Sequence, residues 1–167
     1  MKKTILLKIL QRFFWVIFFI LFANSKYILE KVPQYKESQE RLDQFSVQWQ
    51  QEIDQKQTAV DKMLKDFDAE AIMLSDELKK KREDEIFNKE KELRDLQKKR
   101  FGFEGDLFKK RQELIKPIQD RVYNAVQKLA VDKQYDFILD KSEGITVIFA
   151  DPKLDRSDDV LRNLGVK

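Results

Sequence analysis

Cysteine and histidine are both absent from the 167 residues, and glycine (4) and proline (3) are scarce. Without cysteine there is no disulfide framework and no thiol chemistry. Without histidine there is no imidazole base and no zinc or haem site built on the usual ligands. Chemistry would have to rest on carboxylates, Lys, Ser or Tyr, so the chain is read as a non-enzyme with no metal and no cofactor. The missing cysteine does not report a redox compartment. Charged residues make up 38% of the chain with a net charge of +3. So much charge and so few turn formers suit long exposed helices better than a compact mixed core.

At the amino end, Lys2, Lys3, Lys8 and Arg12 precede an unbroken apolar run of eleven residues, 13–23. As a helix that run spans roughly 16 Å, about half of a bilayer core. A basic start, a short apolar centre and the small residues Ala23 and Ser25 describe a secretory signal peptide over 1–25, cleaved after Ser25. The alternatives are an uncleaved hydrophobic leader that anchors the chain to the membrane, and a buried strand of the mature domain. The bulk of Phe13, Phe14, Trp15, Phe18, Phe19 and Phe22 keeps the anchor open. Removing 1–25 leaves 29 basic and 30 acidic residues, so the apparent basicity belongs to the export segment.

Residues 34–133 hold 22 basic and 22 acidic residues, two glycines and one proline. Dense, balanced charge is what interspersed helix-surface residues give, not a nucleic-acid stripe. The short runs 79–82 and 98–100 read as solvated helix faces, and no nucleic-acid partner is expected. Pro33 suits the first turn of a helix. Apolar residues then recur at Leu42, Phe45, Trp49 and Ile53, and at Val60, Leu64, Phe67, Ala71 and Leu74. A second seam runs through Leu78, Ile86, Leu93, Leu96 and Phe101. Steps of three, four and seven predict a thin contact line between helices. Ser75 can cap a new helix, with Asp76 and Glu77 in its first turn. The spacing therefore predicts an antiparallel hairpin over 34–115, with its tip near 73–76. One continuous helix in a long coiled coil is the alternative.

Phe101-Gly102-Phe103-Glu104-Gly105-Asp106 interrupts the returning arm, because each glycine costs a helix about 1 kcal/mol. The glycine kink at 102–105 is either packed by Phe101, Phe103 and Phe108, or a hinge with Gly102 and Gly105 as its pivots. Past Pro117 a helical pattern resumes. Two runs of strand character follow, 135–140 and 145–150, joined by a loop ending near Gly144. Ser157 is placed to cap a last short helix. Two strands and one short helix bury little on their own, which favours an oligomer. The fold class is α+β, mostly α: a long antiparallel helical hairpin projecting from a small β-sheet body. Residues 26–33 lead into that body, and 116–167 supply a helix, two strands and a terminal helix to it.

The order of these parts resembles the OmpH/Skp-type periplasmic chaperones, in the branch found in Bacteroidetes-type bacteria. The matching stretches are Tyr27-Ile28-Leu29-Glu30-Lys31-Val32-Pro33-Gln34-Tyr35, Phe101-Gly102-Phe103-Glu104-Gly105-Asp106-Leu107, Lys116-Pro117-Ile118-Gln119, and Lys133-Gln134-Tyr135-Asp136-Phe137-Ile138-Leu139-Asp140-Lys141-Ser142. The resemblance implies a homotrimer whose hairpins project as tentacles around a cavity and hold unfolded outer-membrane proteins in the periplasm without ATP. Members of that family carry a short strand just before the Tyr27-Ile28-Leu29-Glu30 segment. Here its place is taken by Ile20-Leu21-Phe22-Ala23-Asn24, inside the apolar run. Cleavage after Ser25 would remove it; an uncleaved chain would keep it.

A holdase needs many weak, adaptable contacts to unfolded chains. Phe45, Trp49, Met63, Phe67, Met73 and Phe87 are the client-contact residues this reading selects. Packing within the hairpin competes for each of them and is favoured for Phe45, Trp49 and Phe67, whereas Met73 and Phe87 lie off the seams. The competing class is a structural coiled-coil spacer, tethered to the membrane through 13–23.

Overall fold

The computed structural model describes residues 20–142, 144 and 147–166. Residues 1–19, with the basic start and most of the apolar run of the expected leader, lie outside them. The chain divides into two compact units, Met1–Tyr35 with Ile118–Lys167, and Lys36–Pro117.

In the first unit, strand β1 (Ile20–Ala23) leads through Asn24 into helix α1 (Ser25–Lys31). The Asn24 side chain caps that helix by accepting the Tyr27 amide. Val32 then turns extended ahead of Pro33, as a residue before proline must, and helix α2 (Pro33–Glu70) starts at the proline itself. On the far side of the chain, helix α5 (Lys116–Lys133) precedes strand β2 (Phe137–Asp140), a short 3-10 turn (Pro152–Leu154) and helix α6 (Ser157–Asn163). β1 and β2 pair in parallel, Ile20 opposite Phe137 and Ala23 opposite Asp140. The core gathers Ala23, Ile28, Val122, Ala125, Leu129, Val160 and Leu161. On α5 the buried positions Ile118, Val122, Ala125 and Leu129 step by three and four, one face of a helix.

Three expectations change here. Among the described residues the two carboxyl-terminal strand runs do not pair with each other: β2 takes β1 as its partner, and 147–150 belong to no strand. Strand propensity is a fit to a pleated, half-buried surface, and the described residues offer none to Ile148 and Phe149, which are 96% and 83% exposed. Second, residues 20–25, assigned to the leader, are built into the unit. Leu21 and Ala23 are buried, and the Ser25 amide donates to Asp140 Oδ1 over 3.1 Å. Third, Ser157 makes no cap hydrogen bond for α6. Its hydroxyl instead donates to Asp155 Oδ1 (2.6 Å) and accepts the Asn24 amide (2.9 Å), fastening β1 to the carboxyl-terminal segment.

The second unit is helical. α2 ends at Glu70, a turn follows, and helix α3 (Asp76–Phe101) begins after Ser75, whose side chain accepts the Leu78 amide. Helix α4 (Asp106–Leu114) continues the return after the break at 102–105. Contacts between the arms run in opposite directions. Glu52 meets Arg100, and Ile53 and Val60 cluster with Leu93. The arms form an antiparallel hairpin.

Candidate functional site

The seam between the arms is narrow. Ile53, Val60 and Leu93 are its buried centre, with Leu64, Leu96 and Phe101 packed against it. Ile53 to Val60 and Ile86 to Leu93 are both steps of seven, so one fully buried residue per two turns marks the seam, with only partly buried apolar neighbours beside it. A seam this thin leaves apolar residues on the outside.

Phe45 and Trp49 stack on each other with ring centroids 5.6 Å apart. The Arg100 guanidinium lies over Trp49 at 5.1 Å and the Lys110 ammonium over Phe45 at 5.2 Å. Both rings are half-buried and engaged in joining the two arms. Met63 and Phe67 are half-buried too, and Met63 borders a hollow of about 230 Å³ with Lys56, Val60, Lys89 and Glu92. Met73 in the turn and Phe87 on α3 are different: they stand 81% and 59% exposed. The six selected residues therefore form no single patch. Four of them are partly covered, and two face solvent.

Two residues that periodicity did not select are more exposed than any of these. Ile72 is 94% exposed beside Met73, and Phe103 is 97% exposed. Ile72 sits in the turn between the arms, where no facing helix can cover it. Phe103 is thrown outward by a four-residue turn, closed by a bond from the Gly105 amide to the Gly102 carbonyl (2.9 Å). Glu104 there has φ +52°, at the position where a type II turn demands a positive φ. The pair of glycines flanking Phe103 was the sequence signal for such a turn. Of the aromatics expected to pack the kink, Phe101 does so, while Phe103 points away and Phe108 is about half exposed.

The glycines themselves answer to close approach, not to φ. A Cβ on Gly105 would sit 2.8 Å from the Lys99 carbonyl oxygen and 2.9 Å from that of Gly102. One on Gly102 would collide with the Lys98 carbonyl oxygen. Arg100 braces the same break: its Nη1 donates to Asp106 Oδ2 (2.7 Å) and its Nη2 to Glu52 Oε2 (3.0 Å). The bond that Arg100 donates to Asp106 is the main cause that holds the guanidinium pKa above its ordinary value, against a smaller desolvation effect.

Among the described residues, no group of three or more metal-binding side chains is placed to hold an ion, and no helix is long and apolar enough to cross a membrane.

The chain is similar to a solved structure from Caulobacter crescentus described as an OmpH-like outer membrane chaperone. The TM-score is 0.69 at 17% identity, covering 89% of this chain and 85% of that one. No curated protein matches the chain. The family described as outer membrane protein (OmpH-like) matches residues 20–164, from the first residue of β1 to just past the end of α6. The chain belongs to the OmpH-like outer membrane protein family.

Proposed function

We propose that this protein is an ATP-independent periplasmic chaperone of the holdase type, which captures unfolded outer-membrane proteins and prevents their aggregation. The observation that carries the reading is the hairpin surface. Ile72 and Met73 stand exposed in the turn between the arms and Phe87 on α3, whose outer faces are charged. Isolated apolar side chains on a polar scaffold give contacts that are individually weak and collectively sufficient for a chain with no fixed shape. The membership in the OmpH-like family and the fold shared with an OmpH-like chaperone support the same role.

A homotrimer completes this reading. The two-stranded parallel sheet is short, and the strand-like run holding Ile148 and Phe149 has no partner strand among the described residues of one chain. Strand edges of this kind are satisfied by other copies. Hairpins from several copies would then surround the client.

The test is binding. A dye-labelled, urea-unfolded β-barrel protein diluted into buffer without nucleotide should form a stable complex with the full-length chaperone. A membrane-tethered spacer would leave the labelled chain unbound.

A further inference from the structure

We propose that the break in the returning arm is a recognition site, in which Phe103 and the lysines around it bind acidic, aromatic-bearing segments of unfolded polypeptide. This inference rests on the capture role proposed above and names the substrate chemistry of one place on the same hairpin.

Three observations carry it. The first is presentation. Phe103 is 97% exposed, yet it sits on a turn closed by its own backbone bond and braced by Arg100, whose partners are Asp106, Glu52 and the Trp49 ring. An aromatic ring held out to water by a braced turn is pre-organised, so binding to it costs little ordering. The second is shape. A shallow hollow of about 370 Å³ is lined by Lys98, Lys99, Phe103, Glu104, Asp106 and Lys109, among others. The third is charge. Residues 95–111 carry six basic and three acidic side chains, whereas the hairpin and the helix after it are balanced over 34–133. Arg100 and Asp106 neutralise each other, and Lys110 is paired with Glu113. Lys98, Lys99 and Lys109 make no ion pair among the described residues. Asp95 and Glu104 line the same hollow and offset two of these lysines; with Asp106 held by Arg100, the lining keeps an excess of positive charge beside the ring, which an acidic partner complements.

A polypeptide fits this better than a nucleic acid. Asp95 and Glu104 interrupt the lysines, and only one aromatic is presented, so neither a phosphate track nor a stacking platform is formed. The acidic turn at the other end of the arms, with five carboxylates and no base over 66–78, offers no such preference.

The experiment uses the full-length protein and two labelled, unstructured peptides of equal apolar content. One carries Asp and Glu around its Phe and Tyr residues; the other carries Lys in their place. The acidic peptide should bind about tenfold more tightly, and the difference should shrink in about 0.5 M salt. Phe103→Ser and the triple charge reversal K98E/K99E/K109E should each remove most of that preference. Because the Phe103 ring is exposed, F103S should melt like the unsubstituted protein. Equal binding of both peptides, or full acidic-peptide affinity in F103S, overturns the proposal. So does an oligomer that dissociates in F103S while peptide binding is unchanged, which would make the ring a contact between copies. Stronger competition by a single-stranded oligonucleotide than by unlabelled acidic peptide overturns it as well. If the protein holds unfolded clients yet shows no acidic preference, this site alone fails; if it binds no unfolded chain at all, the capture role falls with it.

Discussion

The backbone amide of Asn24 donates to Ser157 Oγ across 2.9 Å, joining residues 133 positions apart. The same serine donates to Asp155, and the Arg156 amide donates to the Phe22 carbonyl (2.8 Å), so β1 is held on its second side by the carboxyl-terminal segment. Removing 1–25 would take away β1, the Asn24 cap of α1 and the buried Ala23. A chain starting at Ile20 should therefore fold cooperatively, and one starting at Lys26 should lose its sharp thermal transition. Mass spectrometry of the protein purified from a native-like host should find an amino terminus at or before Ile20. A folded protein beginning at Lys26 would contradict this.

Arg100 is the second fastening point. Arg100→Ala removes two ion pairs and a cation–π contact, all partly solvent-exposed, and should cost about 1–2 kcal/mol in urea unfolding. Hydrogen exchange read by mass spectrometry should show protected amides over 101–109 in the unsubstituted protein and faster exchange there in R100A, with 53–64 unchanged. Fast exchange at 101–109 before substitution would show the break to be a free hinge about Gly102 and Gly105.

The thin seam makes its buried members expensive and its outer ones cheap. Leu93→Ala should destabilise the hairpin by about 2–4 kcal/mol, because Leu93 is the residue of the returning arm on which Ile53 and Val60 converge. Phe87→Ser, on an exposed site one residue past the buried Ile86, should stay within about 0.5 kcal/mol. Equal losses from both would mean the arms pack on a different face.

Acid should act on the strand-bearing unit. Burial pushes the Asp140 carboxyl up, but hydrogen bonds from Ser25 and Ser142 outweigh it and leave its pKa below the ordinary value. Asp155 behaves likewise: burial raises it, and Lys141 and Ser157 lower it further than that. A depressed folded-state pKa contributes stability that is complete above the unfolded aspartate value and lost as pH falls through the folded one. The melting temperature should thus hold steady down to roughly pH 5 and fall below about pH 4, with a shallower fall in Asp140→Asn. A melting temperature unchanged down to pH 2 would remove both carboxylates from the account.

How much of this was readable from residues alone divides by sequence distance. Leu42, Ile53, Val60, Ile86 and Leu93, the buried line of the hairpin, all belong to the two seams that spacing marks, and Ser75 and Pro33 begin helices as their chemistry requires. These signals are local, repeated every turn or two. The pairing of Ile20 with Phe137 is not local, and the strand character of 145–150 pointed to a neighbour in sequence that β2 does not use among the described residues. Nor does an apolar run declare by composition whether it is leader or strand, and Ile20–Ala23 at its end is strand. At the surface, Met73 and Phe87 were legible as residues off the seam. Phe103 was not, because its exposure depends on a turn whose direction is set by Glu104 at positive φ.

Capture by the hairpin surface without nucleotide is read by light scattering. An unfolded β-barrel outer-membrane protein is diluted from urea into buffer alone, with stoichiometric chaperone, and with a variant carrying Met73→Glu and Phe87→Glu. Scattering should be suppressed by the unsubstituted protein equally with and without ATP, and should return in the double variant while its melting temperature is unchanged. Suppression that requires ATP, or a double variant that suppresses as fully as the original, would contradict the account.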